Sequence, residues 1–387
     1  MQKLKFVFVS TLDGAPWGGS EELWSRAACW LAENGHNVSA SVRYWSQPGK
    51  HLENLSRSGV LIQQRKISFR DFVDYGIRKL TRSNEKRPAG FGVFKKWVRS
   101  QKPDLICFSD GSFTSDPFMM NSCHDFGLPY VSVGQMNSVY SWPFDEQVER
   151  IKFGLANSKK VFFVSKENLE LTEFQIGMRL PHAEIVWNPF SVSFDAMPPW
   201  PIATDDICWK LACVARLETK AKGQDLIFRV LAQEKWRSRS IHLTLYGAGP
   251  NKESLKAMSE MLGIQKMVAF AGHVDNIEEV WSKNHALILP SRYEGLPLAL
   301  LEAMLCRRVS IVTNVAGNQE VTLDNITGFL VPAPTFDHLD STMERAWDHR
   351  NEWQSMGATA GRYIRKLIPQ DPAAAFAKRL IQIAVTE

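Results

Sequence analysis

The amino-acid sequence predicts an α/β protein made of two doubly wound domains in series. Short, nearly continuous apolar runs alternate with longer amphipathic ones, which is typical of buried parallel strands joined by crossover helices. This alternation stops at residues 188–206, which are rich in Pro, Ser and Asp, and then restarts. The length of 387 residues also favours more than one domain. We therefore predict a first domain over 1–190, a linker over 191–207, a second domain over 208–368 and a C-terminal helix over 369–387.

The apolar runs place the strands along the chain. In the first domain they also flank an amphipathic helix at Ser20–Glu33. The predicted first-domain strands are Phe6–Ser10, Val38–Val42, Leu61–Ile67, Leu105–Ser109, Tyr130–Gly134, Val161–Ser165 and Ile185–Trp187. The predicted second-domain strands are Leu211–Ala215, Leu243–Tyr246, Val268–Ala271, Ala286–Leu289 and Ser310–Thr313.

Composition excludes several classes of protein. Hydrophobic residues make up 44% of the chain, but no run reaches the roughly 18 apolar residues of a membrane-spanning helix. The opening MQKLKFVFVSTLDG lacks a small-residue cleavage pattern, so we interpret it as a first strand. The six cysteines form no CxxC pair and mostly lie in apolar runs, which predicts reduced, buried thiols in a cytosolic protein and no zinc site.

Basic charge is concentrated in residues 57–102. This stretch holds thirteen Lys and Arg against Asp71, Asp74 and Glu85, a net +10, while the whole chain carries +5. Aromatic residues lie between the charges. Such a mixture is typical of an interfacial segment that binds anionic lipid headgroups, and nucleic acid or plain solvent are the alternatives. A solvated basic face is the default interpretation, and we expect no nucleic acid.

The stretch SRYEGLPLALLEAM, residues 291–304, carries two glutamates at a predicted ligand-binding edge. It follows a strand, and ligands of open α/β sheets bind at the carboxyl ends of strands. Pro297 suits the start of a helix, and Gly295 permits close approach of the backbone. The N–H groups of Gly295 and Leu296 would then face an anion or a sugar hydroxyl. Glu294 and Glu302 can bind two different hydroxyl groups of one ligand, although a glutamate on a helix is more often solvated.

Two further stretches of the second domain have ligand-binding character. LACVARLETKAKGQDLIF, residues 211–228, places Arg216 and Lys222 after a strand, where they can hold a diphosphate. Lys220 is an alternative to Lys222. LTLYGAGPNKESL, residues 243–255, predicts a close approach of the Gly247 and Gly249 backbone to a nucleotide, with a plain turn as the alternative.

The first domain offers a glycine loop and candidate polar groups on its strand ends. Gly18 and Gly19 precede a helix with glutamates in its first turn, and can approach a phosphate or sugar. Trp17 can stack on a sugar or pack in the core. Asp110 and Gln135 follow predicted strands and are further candidates for contact with a ligand.

The ordered motifs of the second domain resemble those of the GT4-type retaining glycosyltransferases of the GT-B fold. They are Arg216–Lys222–Gly223, then YGAGP, then FAGHV, then LPSRYEGLPLALLEAM with its glutamates separated by seven residues. The motif resemblance covers mainly residues 211–330, and the architectural resemblance covers the whole chain. It implies two Rossmann-like domains facing a central cleft, with the C-terminal helix crossing back to the first domain.

The resemblance also implies a donor and roles for residues. The donor would be a UDP-, GDP- or ADP-linked sugar, with Arg216 and Lys222 on its diphosphate and Glu302 on the ribose. Glu294 would contact the donor sugar with the Gly295 and Leu296 amides, next to Pro297. The implied catalytic residues are Glu294, Arg216 and Lys222, and the turn bordering the base is Gly272, His273 and Val274.

The implied reaction is sugar transfer with retention, in which the leaving phosphate accepts the acceptor's proton. Cationic side chains replace a metal, and the second domain has no DxD motif after a strand. The acceptor would be a glycan, a lipid-linked glycan or a small molecule, in polysaccharide or glycoconjugate biosynthesis at the inner face of the membrane. Many relatives of this type act on lipid-linked acceptors, which favours a peripheral membrane surface for residues 57–102. The acceptor-side candidates are Asp110, Gln135 and Trp17. Relatives often carry a histidine at the end of the fifth strand, where this chain has Gln135, so the acceptor contacts stay open.

Two alternatives remain. A non-catalytic sugar-nucleotide or glycan-binding protein could use the same residues. An NAD-dependent oxidoreductase is disfavoured because no GxGxxG follows the first strand.

Overall fold

The fold was analysed in a computed structural model that describes residues 2–12, 14–46, 49–66, 88, 90–111, 117–201 and 208–386. The chain divides into two compact units. The first contains Met1–Pro189 and Asp371–Glu387, and the second contains Phe190–Gln370.

The first unit is built on a parallel sheet of seven described strands. Its order is β3-β2-β1-β4-β5-β6-β7, so the direction of winding reverses between β1 and β4. Strands β1, β4 and β5 are almost wholly buried, which explains their continuous apolar character. The strands are β1 Lys5–Ser10, β2 Asn37–Arg43, β3 Leu61–Arg65, β4 Leu105–Asp110, β5 Tyr130–Gly134, β6 Val161–Phe163 and β7 Ala183–Ile185.

Helices cover this sheet, and the last helix of the chain belongs to the same unit. That helix, α16 (Pro372–Thr386), buries Phe376 and Leu380 in one core cluster with Leu23 and Trp24 of α1. Arg379 adds two hydrogen bonds of 2.9 and 2.6 Å to the Glu184 carboxylate. The other described helices of this first unit are α1 Ser20–Glu33, α2 Lys50–Arg57, α3 Phe91–Gln101, α4 Pro117–Asp125, α5 Asp145–Ala156 and α6 Lys166–Ile176.

The second unit repeats the design with six described parallel strands in the order β10-β9-β8-β11-β12-β13. Winding reverses between β8 and β11. The strands are β8 Trp209–Val214, β9 Ile241–Tyr246, β10 Val268–Gly272, β11 Ala286–Leu289, β12 Val309–Thr313 and β13 Gly328–Val331. The helices are α7 Thr219–Lys222, α8 Gln224–Leu231, α9 Glu234–Arg237, α10 Lys252–Met261, α11 Ile277–Lys283, α12 Leu298–Leu305, α13 Asn318–Val321, α14 Phe336–Asp348 and α15 Trp353–Leu367, with a short 3₁₀ turn at Arg350–Glu352.

The segment that opens the second unit is held by two arginines, of which Arg308 is buried. Arg308 donates to the Pro199 carbonyl at 2.6 Å, and Arg365 donates to the Phe194 carbonyl at 2.8 Å. Burial lowers the pKa of Arg308 to about 10, and the guanidinium keeps its charge at neutral pH. Residues 202–207, the end of the predicted linker, lie outside the described residues.

Most predicted strands agree with the structure to within one or two residues, and two differ for physical reasons. Strand β7 begins at Ala183, where it pairs with Val161, and ends at Ile185, so the prediction of Ile185–Trp187 was displaced. Strand β13 was missed, because Gly328–Val331 is short and begins with glycine.

Of the basic stretch, residues 67–87 and 89 lie outside the described part. Among the described residues, no helix is long and apolar enough to cross a membrane.

Candidate functional site

The second-unit candidate residues lie where the winding of the sheet reverses. Strands β8 and β11 are neighbours, and the loop after each leads to a helix on its own side. Such a point leaves a crevice outside the carboxyl ends of the strands, where ligands of doubly wound folds bind. The two loops are residues 215–218, with the short helix α7, and residues 290–297. They contain all the main motif residues apart from the two glycine turns and Glu302.

Arg292 fixes these two loops to each other. Its backbone N–H donates to the Ala221 carbonyl at 2.7 Å, and its guanidinium donates to the Thr219 carbonyl at 2.6 Å. Two parallel bonds of 2.8 Å join it to the Asp225 carboxylate, the strong fork geometry of arginine with a carboxylate. The pairing of Arg292 with Asp225 was not predicted from the sequence, because the two residues are 67 positions apart.

Gly223 allows the two loops to come this close. Its φ of +66° is left-handed, and a Cβ atom there would lie 2.1 Å from the Pro290 carbonyl oxygen. Only glycine fits without displacing one of the loops. The glycine after Lys222 therefore sets the separation of the loops.

Lys222 and Glu294 meet across this junction. Lys222 Nζ lies 2.5 Å from Glu294 Oε1, and the Ser291 hydroxyl donates to the same oxygen at 2.7 Å. Ser291 is held in turn by the Thr313 hydroxyl, which donates to its carbonyl at 2.6 Å. The Glu294 carboxylate is buried and the Lys222 side chain is 21% exposed. Lys222, rather than the exposed Lys220, is thus the lysine that reaches Glu294.

Arg216 lies on the same loop but points elsewhere in this structure. Its side chain is 56% exposed and forms an ion pair with Glu218. Its carbonyl accepts a hydrogen bond of 2.9 Å from the Gln224 side chain. The guanidinium is accessible to solvent, so a ligand oxygen could take it from Glu218 by rotation of a flexible side chain.

Backbone donors lie beside the carboxylate. Helix α12 begins at Leu298, with Pro297 as its N-cap, so the predicted helix start was one residue early. Among the described residues none accepts a hydrogen bond from the N–H of Gly295 or Leu296. The Gly295 carbonyl is held by the Gly317 N–H at 2.9 Å. This fixed turn presents its N–H groups at a helix N-terminus, an arrangement that suits an anion or a hydroxyl oxygen.

Glu302 is buried on α12, and its carboxylate has a backbone partner. Oε1 accepts the Ser191 N–H at 2.9 Å, which joins the start of the second unit to the helix. A buried carboxylate needs such donors to offset its lost hydration. Glu302 was predicted to bind a ligand hydroxyl, but its partner Ser191, 111 residues earlier, was not predicted.

The two predicted glycine turns differ from each other. A Cβ at Gly247 would lie 2.2 Å from the Ala215 carbonyl oxygen, and one at Gly249 would lie 2.4 Å from that of Leu217. These glycines therefore pack against the loop that carries Arg216, which is a structural reason for the YGAGP motif. By contrast Gly272, with φ +75°, has open space around it, and His273 beside it is exposed and 3.4 Å from Asp275. Val274 follows in the same exposed turn.

In the first unit, Asp110 ends β4 at the other point of reversed winding. Its carboxylate is buried, and the Thr11 hydroxyl donates to Oδ1 at 2.5 Å. Burial raises the pKa of Asp110 to about 7, against the opposing effect of the Thr11 bond. Burial likewise raises the pKa of Glu21 to about 7, although hydrogen bonds and the charge of Arg65 oppose it. Both carboxyl groups thus hold a proton over part of the acidic range.

Gln135 follows β5 and is tied to Asp110 and Asn188. Its N–H donates to the Asp110 carbonyl at 2.9 Å, and Asn188 donates to its side-chain oxygen at 2.8 Å. Gln135 Nε2 and Asn188 Oδ1 are buried, and neither has a partner among the described residues. Exchange of both amide assignments would still leave one NH₂ and one oxygen available. This pair can therefore both donate to and accept from a ligand hydroxyl.

The glycine loop of the first unit lies before α1. Gly19 is the N-cap of that helix, and a Cβ at Gly18 would meet only ordinary contacts. Trp17 stacks on His51 with ring centroids 4.5 Å apart, and its indole N–H donates to Glu22 at 2.9 Å. In this structure the ring thus packs within its own unit.

No group of three or more His, Cys, Asp or Glu suitable for a metal ion occurs among the residues that the structure describes. The groups that the second-unit site offers to an anionic ligand are a lysine, an arginine and backbone N–H groups.

Comparison with known proteins finds a family match within the second unit. Residues 202–362 match the family model described as glycosyl transferases group 1. Lys222, Glu294 and Glu302 all lie within the matched region, and so do Arg216 and the glycine turns.

Curated relatives match over part of their length. The chain is 28% identical over 129 residues to alpha-D-kanosaminyltransferase of Streptomyces kanamyceticus, 33% of each chain. It is 26% identical over 203 residues to a GDP-mannose-dependent phosphatidylinositol monomannoside mannosyltransferase of Mycobacterium tuberculosis, 48% of this chain and 52% of that one. The chain thus spans between about a third and about half the length of these relatives.

Solved structures match over the whole chain. A glycosyltransferase from Rickettsia africae has a TM-score of 0.76 at 15% identity and covers all of both chains. Anabaena HepE in complex with UDP-glucose has a TM-score of 0.72 at 14% identity, covering 98% of this chain and 99% of that one. This likeness confirms the predicted fold class, the two Rossmann-like domains of GT-B glycosyltransferases.

Proposed function

We propose that the chain is a glycosyltransferase that binds a nucleotide-diphosphate sugar in its second unit and transfers the sugar to an acceptor hydroxyl. The observation that carries this proposal is the Lys222–Glu294 pair at the reversal point of the sheet, beside the available N–H groups of Gly295 and Leu296. The pair lies in the region that matches glycosyl transferases group 1.

The proposed chemistry uses cations and N–H groups to stabilise the leaving diphosphate. Charge develops on the phosphate oxygens as the glycosidic bond breaks, and preorganised donors are most effective where charge develops. Lys222 is preorganised, since Glu294 and the loop junction at Gly223 hold it. Arg216 is the mobile partner that would leave Glu218 when the diphosphate binds. No metal is required in this scheme.

Glu294 and Glu302 bind hydroxyl groups rather than attack carbon. One Glu294 oxygen already accepts from Lys222 and Ser291, which makes this carboxylate a poor nucleophile and a good oriented acceptor for sugar hydroxyls. Glu302 would accept from the ribose while keeping the Ser191 N–H. Without a protein nucleophile, retention follows if the leaving phosphate takes the acceptor's proton on the same face of the sugar.

Acceptor binding is assigned to the first unit. Asp110, Gln135 and Asn188 supply a carboxyl group, an amide NH₂ and an amide oxygen at one edge of the sheet. These groups suit a sugar hydroxyl. The glycine loop at Gly18 and Gly19 would face a phosphate or sugar, and residues 57–102 would contact an anionic membrane surface if the acceptor is lipid-linked.

The experiment is a transfer assay with UDP-, GDP- and ADP-sugars, read by nuclear magnetic resonance of the anomeric proton. We expect transfer with retained configuration, in the presence of a metal chelator. Glu294→Gln should lower kcat/KM by well over about tenfold while the fold holds. An unchanged rate in Glu294→Gln would remove Glu294 from the mechanism. A donor that binds without any turnover would favour a non-catalytic sugar-nucleotide protein.

A further inference from the structure

An exposed aromatic cluster lies in the first unit, outside the site described above. It consists of Tyr140, Trp142 and Phe144 on the loop after β5, and Phe174 on α6. These four side chains are between 53% and 78% exposed, which is unusual for rings of this size in one place. Trp142 meets Phe174 edge to face, with ring centroids 5.9 Å apart, so loop and helix form one surface.

Buried polar bonds hold the loop under these rings. Asn137 Nδ2 donates to the Thr172 hydroxyl at 2.8 Å and to Gln175 Oε1 at 2.9 Å. Gln175 Nε2 donates back to the Ser138 carbonyl at 3.0 Å, and Ser138 N–H donates to Asn137 Oδ1 at 2.7 Å. A buried amide network of this kind rigidifies the backbone. The rings are therefore presented by a preorganised loop, a property that favours binding.

The charges around the rings limit what can bind. Between Gln135 and Glu149 the chain has no Lys, Arg or His, and it has Asp145, Glu146 and Glu149. Helix α6 adds Glu167, Glu170 and Glu173, and Lys166 lies 3.3 Å from Glu170. Arg179 pairs with Glu173 and Lys152 pairs with Glu149, which leaves the acids in excess of these cations. An anionic lipid surface would be repelled. A second copy docking through the same face would bring like charges together.

An uncharged saccharide chain fits this surface. Sugar rings have apolar C–H faces that can lie on aromatic rings, and hydroxyl groups that donate to carboxylates such as Asp145 and Glu146. The loop is continuous with Gln135, at the edge of the sheet that carries Asp110. The five residues from Tyr140 to Phe144 are joined by four Cα–Cα steps and can span up to roughly 13 Å when fully extended, which is more than one sugar ring.

We propose that the surface of Tyr140, Trp142, Phe144 and Phe174 binds the acceptor glycan beyond the sugar that receives the transfer, so that the acceptor is a saccharide chain. This inference rests on the proposed transferase function. It makes the length of the acceptor a determinant of affinity, since a longer saccharide contacts more of the four rings.

The test is binding of the full chain to an array of immobilised uncharged oligosaccharides of varied composition and increasing length. Trp142→Ala/Phe174→Ala is compared with wild type and with Val385→Ala, which removes an exposed side chain from α16 of the same unit. We expect wild type and Val385→Ala to retain longer oligosaccharides of at least one composition and no monosaccharide. The double variant should bind about tenfold more weakly or worse.

Three results would overturn the inference. The first is that wild type binds no oligosaccharide, and the second is that the double variant binds as tightly as wild type. The third is that wild type binds phosphatidylcholine–phosphatidylglycerol vesicles, or self-associates in ultracentrifugation, and the double variant does not. Hydrolysis of nucleotide sugar without acceptor is measured in parallel, because it depends on the second unit. Ring-dependent oligosaccharide binding without any nucleotide-sugar binding would remove the transferase function but leave the glycan surface.

Discussion

Substitution of Gly223 by alanine tests whether close approach of the two loops builds the second-unit site. Gly223 and Gly263 share a φ of +66°, so alanine meets the same backbone cost at both positions, about 1 kcal/mol in free energy of unfolding. At Gly263 the nearest atom to the new Cβ is the flexible end of Arg237 at 3.6 Å. At Gly223 it is the Pro290 carbonyl oxygen at 2.1 Å.

The overlap at Gly223 must separate the loops. Forcing a methyl group into a packed site costs about 1–3 kcal/mol in addition, so Gly223→Ala should lose roughly 2–4 kcal/mol against about 1 for Gly263→Ala. The shift also moves Lys222 away from Glu294, so nucleotide-sugar affinity should fall about tenfold or more in Gly223→Ala only.

Hydrogen-exchange mass spectrometry under native conditions measures these losses separately for each unit, and titration calorimetry measures the affinity. Gly177→Ala, in the first unit with φ +60° and open space around it, is a second control. Equal costs at Gly223 and Gly263 would refute the reasoning, as would normal affinity in a folded Gly223→Ala protein.

Three other changes have defined outcomes. Asp110→Asn should change the pH dependence of stability. The folded-state pKa near 7 lies above the unfolded value, so wild type loses about 3–4 kcal/mol of stability as pH rises from about 4 to about 7. Free energies of urea unfolding that ran parallel in the two proteins over this pH range would contradict this. Leu380→Ala should destabilise the first unit by about 2–5 kcal/mol, because this side chain of α16 is fully buried in the core cluster of α1. Amide hydrogen exchange in β8 and β11 of the second unit should not change, and faster exchange there would be inconsistent with the account. Glu302→Gln keeps an oxygen for the Ser191 N–H and should leave the free energy of unfolding within about 1 kcal/mol of the wild-type value. Nucleotide-sugar affinity should drop about tenfold, since neutral oxygens accept more weakly than charged ones. Unaltered affinity by calorimetry would exclude a ribose contact.

The sequence predicted those elements whose burial leaves a local pattern. Tyr130–Gly134 and Ala286–Leu289 were predicted residue for residue, because central parallel strands must be apolar on both faces. Edge strands are less constrained, which explains the displaced β7 and the missed β13. The helix of Ser20–Glu33 was predicted at both ends from its amphipathic pattern.

The candidate site was predictable in its residue types but not in its pairings. Loop position and spacing indicated Lys222 and Glu294, and the structure brings them into contact. The residues that hold the site together, Arg292 with Asp225 and Ser191 with Glu302, are joined only by folding. The approach of Gly247 and Gly249 to a nucleotide stays a prediction. The structure shows that their backbones also approach the loop of Ala215–Leu217, a relation that no local pattern encodes.

The most direct test of the central claim is a thermal-shift panel of UDP-, GDP- and ADP-sugars on the purified chain without metal, repeated with Lys222→Ala and Glu302→Ala. A donor at about a hundred times its dissociation constant stabilises the folded state by about 2.7 kcal/mol. We predict a clear shift with sugars of one base, lost in both variants. No shift with any donor, or a shift that both variants retain, would contradict a nucleotide-sugar site built on Lys222, Glu294 and Glu302.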